Sequence, residues 1–419
     1  MAMLFLGNTP VVQVGDSELI KQILVKDFYK FVNRTPVSNA KHPILCASVG
    51  SANGDEWRRL RSIVSPTFTS AKMKRLYPLV GQSVNALIDV MDTYAKRGNG
   101  VEVRQMYGSY IMDVIANCAY GIKINAFKDP NDPFVMNAKL VINQSFVKLF
   151  CNLLLREFVL NVLNLLSMKL LFNSSEDYNV DENDILESHH VTEGGDELAV
   201  DKNILDRNHA NKKLTENEII AQAFNFFLAG YETTRSILSF CTYKLALNPR
   251  AQHKLYEEVV SAVDSDGQIE YEVLVRLPKL DAILSETLRL YSSGTVIKRK
   301  ASEEIKLGDT GITLEKGMAL NITAYAMYHS DEYFPNAEAF IPERFLPENR
   351  HQILPYTYLP FGNCVSMRFA LLLPKLVLAH VIRRFRFVWT SQTDVPLVLN
   401  KFIRLKSPKS MIVGIESRD

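Results

Sequence analysis

The sequence predicts a mainly α-helical fold with small β-sheets, an α+β arrangement, and three observations carry that expectation. Apolar residues recur at helical spacing over long windows, above all from Glu56 to about Ala95 and from Thr215 to Leu247. The runs that read as strands, Val11–Val14, Ile305–Leu307 and Ala319–Ile322, are short. Of 419 residues 47% are hydrophobic and 22% charged, enough apolar surface to bury a sizeable core and too much for a mainly disordered chain.

In chain order, the strand at Val11–Val14 leads into Asp16-Ser-Glu-Leu-Ile-Lys-Gln-Ile-Leu24, which opens on a capping residue and continues at helical spacing. The helical period from Glu56 to Ala95 carries Ser65-Pro66 and Tyr77-Pro78, where proline removes a backbone donor and is expected to break the helix. Further helices are expected over Ser109–Tyr120 and Asn137–Phe172. From Asn173 to Lys213 the chain turns polar, with Glu-Asp runs and Gly194-Gly195, and reads as a mobile surface connection. Thr215-Glu-Asn-Glu218 then forms the S/T-x-x-E capping pattern at the head of a long helix that Asn248-Pro249 stops near Leu247. That helix is apolar on every side, the mark of a buried element. Helices from Pro249 to about Val263 and from Leu277 to Tyr291 follow, and no internal repeat is visible.

A formal net charge of +2 is too mild to imply nucleic acid, and no such partner is expected. The five cysteines, Cys46, Cys118, Cys151, Cys241 and Cys364, are odd in number, scattered and without a C-x-x-C pair, which argues against a disulfide framework or a zinc site. Free cysteines most often fill core space. The N-terminus is apolar only over Met1–Leu6, against the ~20 residues needed to span a bilayer, so neither an anchor nor a signal peptide is expected there. Leu149–Phe172 is the longest apolar region. Arg156, Glu157 and Lys169 interrupt it, and it reads either as core packing or as an interfacial element in contact with a membrane surface.

Chemistry concentrates in a few segments. Within the long helix, Ala229-Gly230-Tyr231-Glu232-Thr233-Thr234 leaves Asn225, Ala229 and Thr233 on one face, at i, i+4 and i+8. Glycine in a helix interior costs ~1 kcal/mol relative to alanine and calls for a reason. Three are open: a flat ligand against the backbone, a ladder opened locally by a threonine hydroxyl, or plain helix packing. Glu286-Thr-Leu-Arg289 sets an acid and a base at i, i+3 among Ile283, Leu284, Leu288 and Leu290, so a third polar partner is needed. Phe340-Ile-Pro-Glu-Arg344-Phe345 offers an arginine for it. Pro360-Phe-Gly-Asn-Cys364-Val-Ser-Met-Arg368 puts a cysteine at the start of an apolar helix, where the helix N-terminus favours thiolate over thiol.

Taken in order, Trp57-Arg-Arg-Leu-Arg61, Ala229–Thr234, Glu286–Arg289, Phe340–Phe345 and the Cys364 segment resemble the landmark motifs of the cytochromes P-450. The resemblance covers essentially the whole chain. Around Asp55–Ser70, Phe226–Phe240 and Met411–Asp419 the sequence is similar to the animal clan that holds drug- and steroid-oxidising liver enzymes and thromboxane synthase. It implies a single domain over residues 1–419 that lacks the N-terminal membrane anchor, with heme b (iron protoporphyrin IX) between the long central helix and the cysteine-bearing helix.

Residue by residue, Cys364 matches the axial ligand to the metal, whose thiolate pushes electron density onto iron. Arg34, Trp57, Arg61 and Arg299 match positions that hold the heme propionates, where cationic donors suit paired carboxylate oxygens. Glu232 and Thr233 match the acid and the alcohol that deliver protons during oxygen activation. Asn225, Leu228 and Ala229, with Gly294, Val296 and Ile297, match substrate-pocket positions, and their largely apolar character implies a lipophilic small molecule. Glu286, Arg289 and Arg344 match a buried salt-bridge triad that is structural. The implied reaction is monooxygenation with O2 and electrons from NADPH-cytochrome P-450 reductase, at the endoplasmic reticulum membrane, in xenobiotic or steroid metabolism. Arg58, Arg59, Lys72, Lys74 and Arg75 offer either a basic docking face for the acidic flavoprotein or ordinary solvated charge.

The chain departs from the family pattern beside the cysteine. In the motif F-x-x-G-x-R-x-C the cysteine follows the phenylalanine by seven positions, whereas Phe361 and Cys364 are three apart. At up to ~3.6 Å per residue the difference removes as much as ~14 Å of chain contour. Ser366 stands where a glycine is expected, and Pro374 falls inside the following helix, where proline can kink the backbone at ~3 kcal/mol or more. A non-catalytic or heme-deficient relative is therefore the alternative function. A reductase-independent peroxide isomerase is a third, against which Thr233 argues, since relatives of that kind tend to lack the alcohol.

Overall fold

The computed structural model describes residues 2–6, 9–34, 43–143, 213–362, 367–398, 408 and 410–418. In chain order they form β1 (Ala2–Leu6), β2 (Thr9–Val14), α1 (Ser17–Lys21), α2 (Pro43–Cys46), α3 (Gly54–Val64), α4 (Ser70–Arg97), β3 (Val101–Glu102), α5 (Val103–Tyr120), α6 (Pro133–Asn143) and α7 (Glu216–Leu247). Next come α8 (Pro249–Ser261), α9 (Tyr271–Leu274), α10 (Pro278–Leu290), β4 (Ile297–Lys300), β5 (Ile305–Lys306), β6 (Thr313–Leu314), β7 (Ala319–Ile322), α11 (Ala324–Tyr328), α12 (Met367–Arg384), β8 (Phe385–Val388) and β9 (Ile412–Ser417). The class is mainly α with small sheets. The described residues fall into two compact units, the first within Met1–Ser70, Val180–Gln222 and Leu288–Met367, the second within Ala71–Asn179, Ala223–Thr287 and Arg368–Asp419.

The first unit is organised on a sheet of order β1-β2-β7-β4. The apolar N-terminal run is one strand of it: β1 pairs antiparallel with β2, which runs parallel to β7, which is antiparallel to β4. Val11, Val12 and Val14 are buried, while Met3, Leu4 and Phe5 stay exposed. Asp16 caps α1 by accepting from the Leu19 N–H at 2.9 Å, and the chain then widens into a π-helical turn over Gln22–Lys26. Strand β4 was not legible in Ile-Lys-Arg-Lys, because a strand with three cations reads as surface. Its inward position is Arg299.

In the second unit α4 corrects one expectation. It runs unbroken through Pro78, with Met73, Val80, Val84, Leu87 and Met91 forming a buried stripe on both sides of the proline. Burial along that stripe outweighs the lost backbone hydrogen bond. The expected interruption at Ser65-Pro66 does occur, as a 3-10 turn over Ser65–Phe68. Helix α5 starts at Val103, ahead of the expected Ser109, because Glu102 caps it by accepting from the Arg104 N–H at 3.1 Å. Helix α6 also starts early, where Asp132 accepts from Phe134 N at 2.8 Å. The remainder of the expected Asn137–Phe172 helix and most of the polar connection Asn173–Lys213 lie outside the described residues.

Helix α7 opens with the expected reciprocal cap: Thr215 N donates to Glu218 Oε2 at 2.8 Å and Glu218 N to Thr215 Oγ1 at 3.4 Å. Helix α12 passes through Pro374, and its buried run Leu372–Ala379 holds the proline inside the helix. Buried Gln252 of α8 accepts from Phe387 N at 2.8 Å and donates to Leu245 O at 3.0 Å and Phe387 O at 2.9 Å, tying β8 of the β3-β9-β8 sheet to the helices. Among the described residues no helix is long and apolar enough to cross a membrane.

Candidate functional site

The first unit gathers a set of cationic side chains. Helix α3 carries Trp57 and Arg61 at i, i+4, hence on one side, and both are buried. Trp57 packs in a cluster with Val32, Val49, Ala52 and Leu60, and its ring lies 6.0 Å from that of Phe28. Arg299 is only 4% exposed. Its Nη1 donates to Lys298 O at 3.0 Å, and its buried Nε has no partner. Burial, followed by the guanidinium of Arg34, pushes Arg299 down from the ordinary guanidinium range to about 9. A buried cation with an unused donor beside a second guanidinium is suited to a ligand that brings paired carboxylates.

Gly362 sits on the approach to the cysteine. Its φ of 50° is left-handed, and a Cβ added there would meet Ile297 Cδ1 at 3.3 Å, so the loop is pinned against β4 by a residue that has to be glycine. Cys364 and Ser366 lie outside the described residues, as does Cys151. Burial pushes the thiols of Cys118 and Cys241 up to about 12, the behaviour of cysteines that fill core space. Cys46 is exposed.

In the second unit, α7 presents an accessible stretch: Leu228 is 37% exposed, Ala229 is exposed and Asn225 half-buried. Thr233 Oγ1 donates to Ala229 O one turn back. Gly230 faces elsewhere, since a Cβ there would touch Ile115 of α5 at 3.4 Å. Helix packing accounts for the glycine, and the ligand reading attaches to the Asn225–Ala229–Thr233 face. Glu232 points away from that face. Its carboxylate accepts from Arg104 Nη2 at 2.8 Å, from Arg235 Nη2, and from Ser236 Oγ at 3.4 Å. The Arg235 guanidinium lies 5.2 Å over the Tyr231 ring, which stacks on Phe227. Arg104 and Arg235 escaped the sequence reading. Arg235 was findable, at i, i+3 from Glu232, whereas Arg104 is 128 positions away.

Of the remaining expected residues, Gly294 is exposed and Val296 and Ile297 are half-buried, all in the first unit. Tyr325 N donates to Thr295 O at 3.1 Å and Ser292 Oγ to Gly294 O at 2.9 Å, which fixes the backbone before β4. Glu286 and Arg289 are wholly buried. Arg289 donates to the carbonyl oxygens of Tyr328 and Ala339 and lies 5.2 Å from the Phe334 ring centre, while Arg344 donates to Asn336 O at 3.0 Å. Both arginines thus serve backbone carbonyls between 328 and 339. In the basic group, Arg58 pairs with Asp55, Arg59 with Glu218 and Lys74 with Glu272, which neutralises much of that charge locally.

The family model described as "Cytochrome P450" matches residues 1–413. Cytochrome P450 3A2 of Rattus norvegicus is 34% identical over 429 residues, spanning 99% of this chain and 84% of the relative. Cytochrome P450 3A16 of Mus musculus is 35% identical over 433 residues and cytochrome P450 3A12 of Canis lupus familiaris 32% over 428, with the same coverage.

Proposed function

The chain belongs to the cytochrome P450 family, heme monooxygenases as a class, and on that premise we propose that it inserts one oxygen atom from O2 into a lipophilic small molecule with NADPH-derived electrons. The cofactor is iron protoporphyrin IX with Cys364 as its thiolate, and when bound it supplies the iron at which oxygen is reduced. Arg34, Trp57, Arg61 and Arg299 hold its propionates. The resemblance assigns substrate contact to Asn225, Leu228 and Ala229 on α7 and to Gly294, Val296 and Ile297 before and in β4, a largely apolar set suited to a lipophilic molecule. Thr233 moves a proton at Oγ1, and Glu232, which the resemblance assigns to resupply it, would have to leave its bonds to Arg104 and Arg235 to do so. NADPH-cytochrome P-450 reductase is the electron donor, and the endoplasmic reticulum membrane the expected location.

The observation that carries this reading is the buried, unpartnered Nε of Arg299 beside Arg34, a donor set matched to carboxylates. The short approach from Phe361 to Cys364 favours a second reading, a relative without thiolate chemistry. Incubation of the heme-loaded protein with the reductase, NADPH and a panel of steroids and drug-like amines under 18O2 separates them. The first reading gives a product with one labelled oxygen that depends on both NADPH and the reductase. Labelled product absent across the panel from a fully heme-loaded sample supports the second.

A further inference from the structure

We propose that Asn33 is a positioning residue for the carboxylate-binding cations, an inference that rests on the propionate reading above. Three separate stretches of chain carry those cations: the segment ending at Arg34, helix α3 with Trp57 and Arg61, and strand β4 with Arg299. Asn33 joins all three. Its side-chain Oδ1 accepts from Gly54 N, the first residue of α3, at 2.8 Å. Its main-chain oxygen accepts from Lys300 N at 2.9 Å, one residue beyond Arg299, in an isolated antiparallel bridge. Its own chain continues directly into Arg34.

The geometry at the helix start shows why a side chain from elsewhere is needed. Asn53 occupies the capping position of α3 but makes no capping bond to its own helix. Gly54 has φ 58°, a left-handed conformation that turns its N–H out of the usual cap. Asn33 takes that N–H, and Asn53 Oδ1 in exchange accepts from Arg34 N at 3.0 Å. Two asparagines thus cap each other's segments, and the exchange fixes the α3 start to the backbone that carries Arg34. The guanidiniums of Arg34 and Arg299 lie close enough to repel, and Asn33 restrains the backbones that carry them.

The test is the rate at which heme is lost to an excess of heme-free globin, measured for heme and for its dimethyl ester in the wild-type holoprotein and in Asn33→Ala. Wild type should lose the ester at least about tenfold faster than heme, because the ester has no carboxylates for the cations. Asn33→Ala should lose heme about fivefold faster, the equivalent of the ~1 kcal/mol of a capping bond, and lose the ester at the wild-type rate. Equal acceleration for heme and ester would overturn the proposal, since Asn33 would then act on the fold at large. A wild type that holds heme and ester equally well would overturn the propionate reading itself. If Asn33→Ala yields no holoprotein, Asn53→Ala, which removes the bond to Arg34 N and a 3.4 Å bond to Ser51 O and leaves the Asn33 contacts in place, carries the same pair of expectations.

Discussion

Replacing Arg299 by methionine is predicted to act with opposite sign on the heme-free and heme-loaded protein. The side chain is 4% exposed, makes one bond to Lys298 O at 3.0 Å and leaves its buried Nε unpartnered. Its fall from the ordinary guanidinium range to about 9 means, at ~1.4 kcal/mol per pH unit, that folding around the charged form costs ~5 kcal/mol. Because the folded value lies below the unfolded one, that cost is full below pH about 9 and fades only as pH rises above it toward the ordinary guanidinium range. Methionine keeps most of the aliphatic length, removes the charge and forfeits a hydrogen bond worth ~1 kcal/mol, so the heme-free protein should gain on the order of 2–4 kcal/mol. With heme bound, the same change removes a charge-assisted bond of ~1.5–3 kcal/mol, which should speed heme loss by about tenfold or more. Calorimetry of the heme-free protein at pH 7 and heme transfer from the loaded protein read the two signs. A fall in the melting temperature of heme-free Arg299→Met, of the size usual for a core substitution, would refute the reasoning.

Thr233→Ala removes the hydroxyl bonded to Ala229 O; product formed per NADPH oxidised should drop by roughly two orders of magnitude, the low end of a general-acid contribution, while NADPH is still consumed. Gln222 is fully buried, its Oε1 accepting from Val49 N at 2.9 Å and its Nε2 donating to Ala47 O at 2.8 Å. Gln222→Leu strands both backbone groups, so urea denaturation should show a loss of ~2–4 kcal/mol and the Val49 amide should lose hydrogen-exchange protection. Burial raises Asp113 from 3.8 to about 6, against the bond it accepts from Ala126 N. The raised value means its contribution is full below pH 3.8 and lost as pH rises through about 6. Relative to wild type, Asp113→Asn should therefore gain up to ~3 kcal/mol in denaturant titrations between pH 4 and pH 6.

What the sequence made legible was local. Asp16 and the Thr215–Glu218 cap announce α1 and α7 because capping chemistry lies within one turn. Trp57 and Arg61 share a side of α3 by spacing alone. The helix through Pro78 was misread because tertiary burial on both flanks decides the outcome, and a period count does not weigh it. Strands β8 and β9 escaped notice because each needs a partner far along the chain, Phe385 opposite Ser417 and Val388 opposite Gly414. The same holds in the candidate site. The Asn33 junction and the Arg104–Glu232 pair are made of contacts between distant segments, and no window of the sequence contains them.

Ligation of iron by Cys364 is tested most directly by the ferrous carbonyl spectrum of the heme-loaded protein, recorded beside Cys364→Ser. The wild type should show the red-shifted Soret band of a thiolate-ligated iron, and the serine variant should lose it. A wild-type spectrum without the red shift would contradict thiolate ligation across the shortened Phe361–Cys364 approach, and oxygen activation by this protein with it.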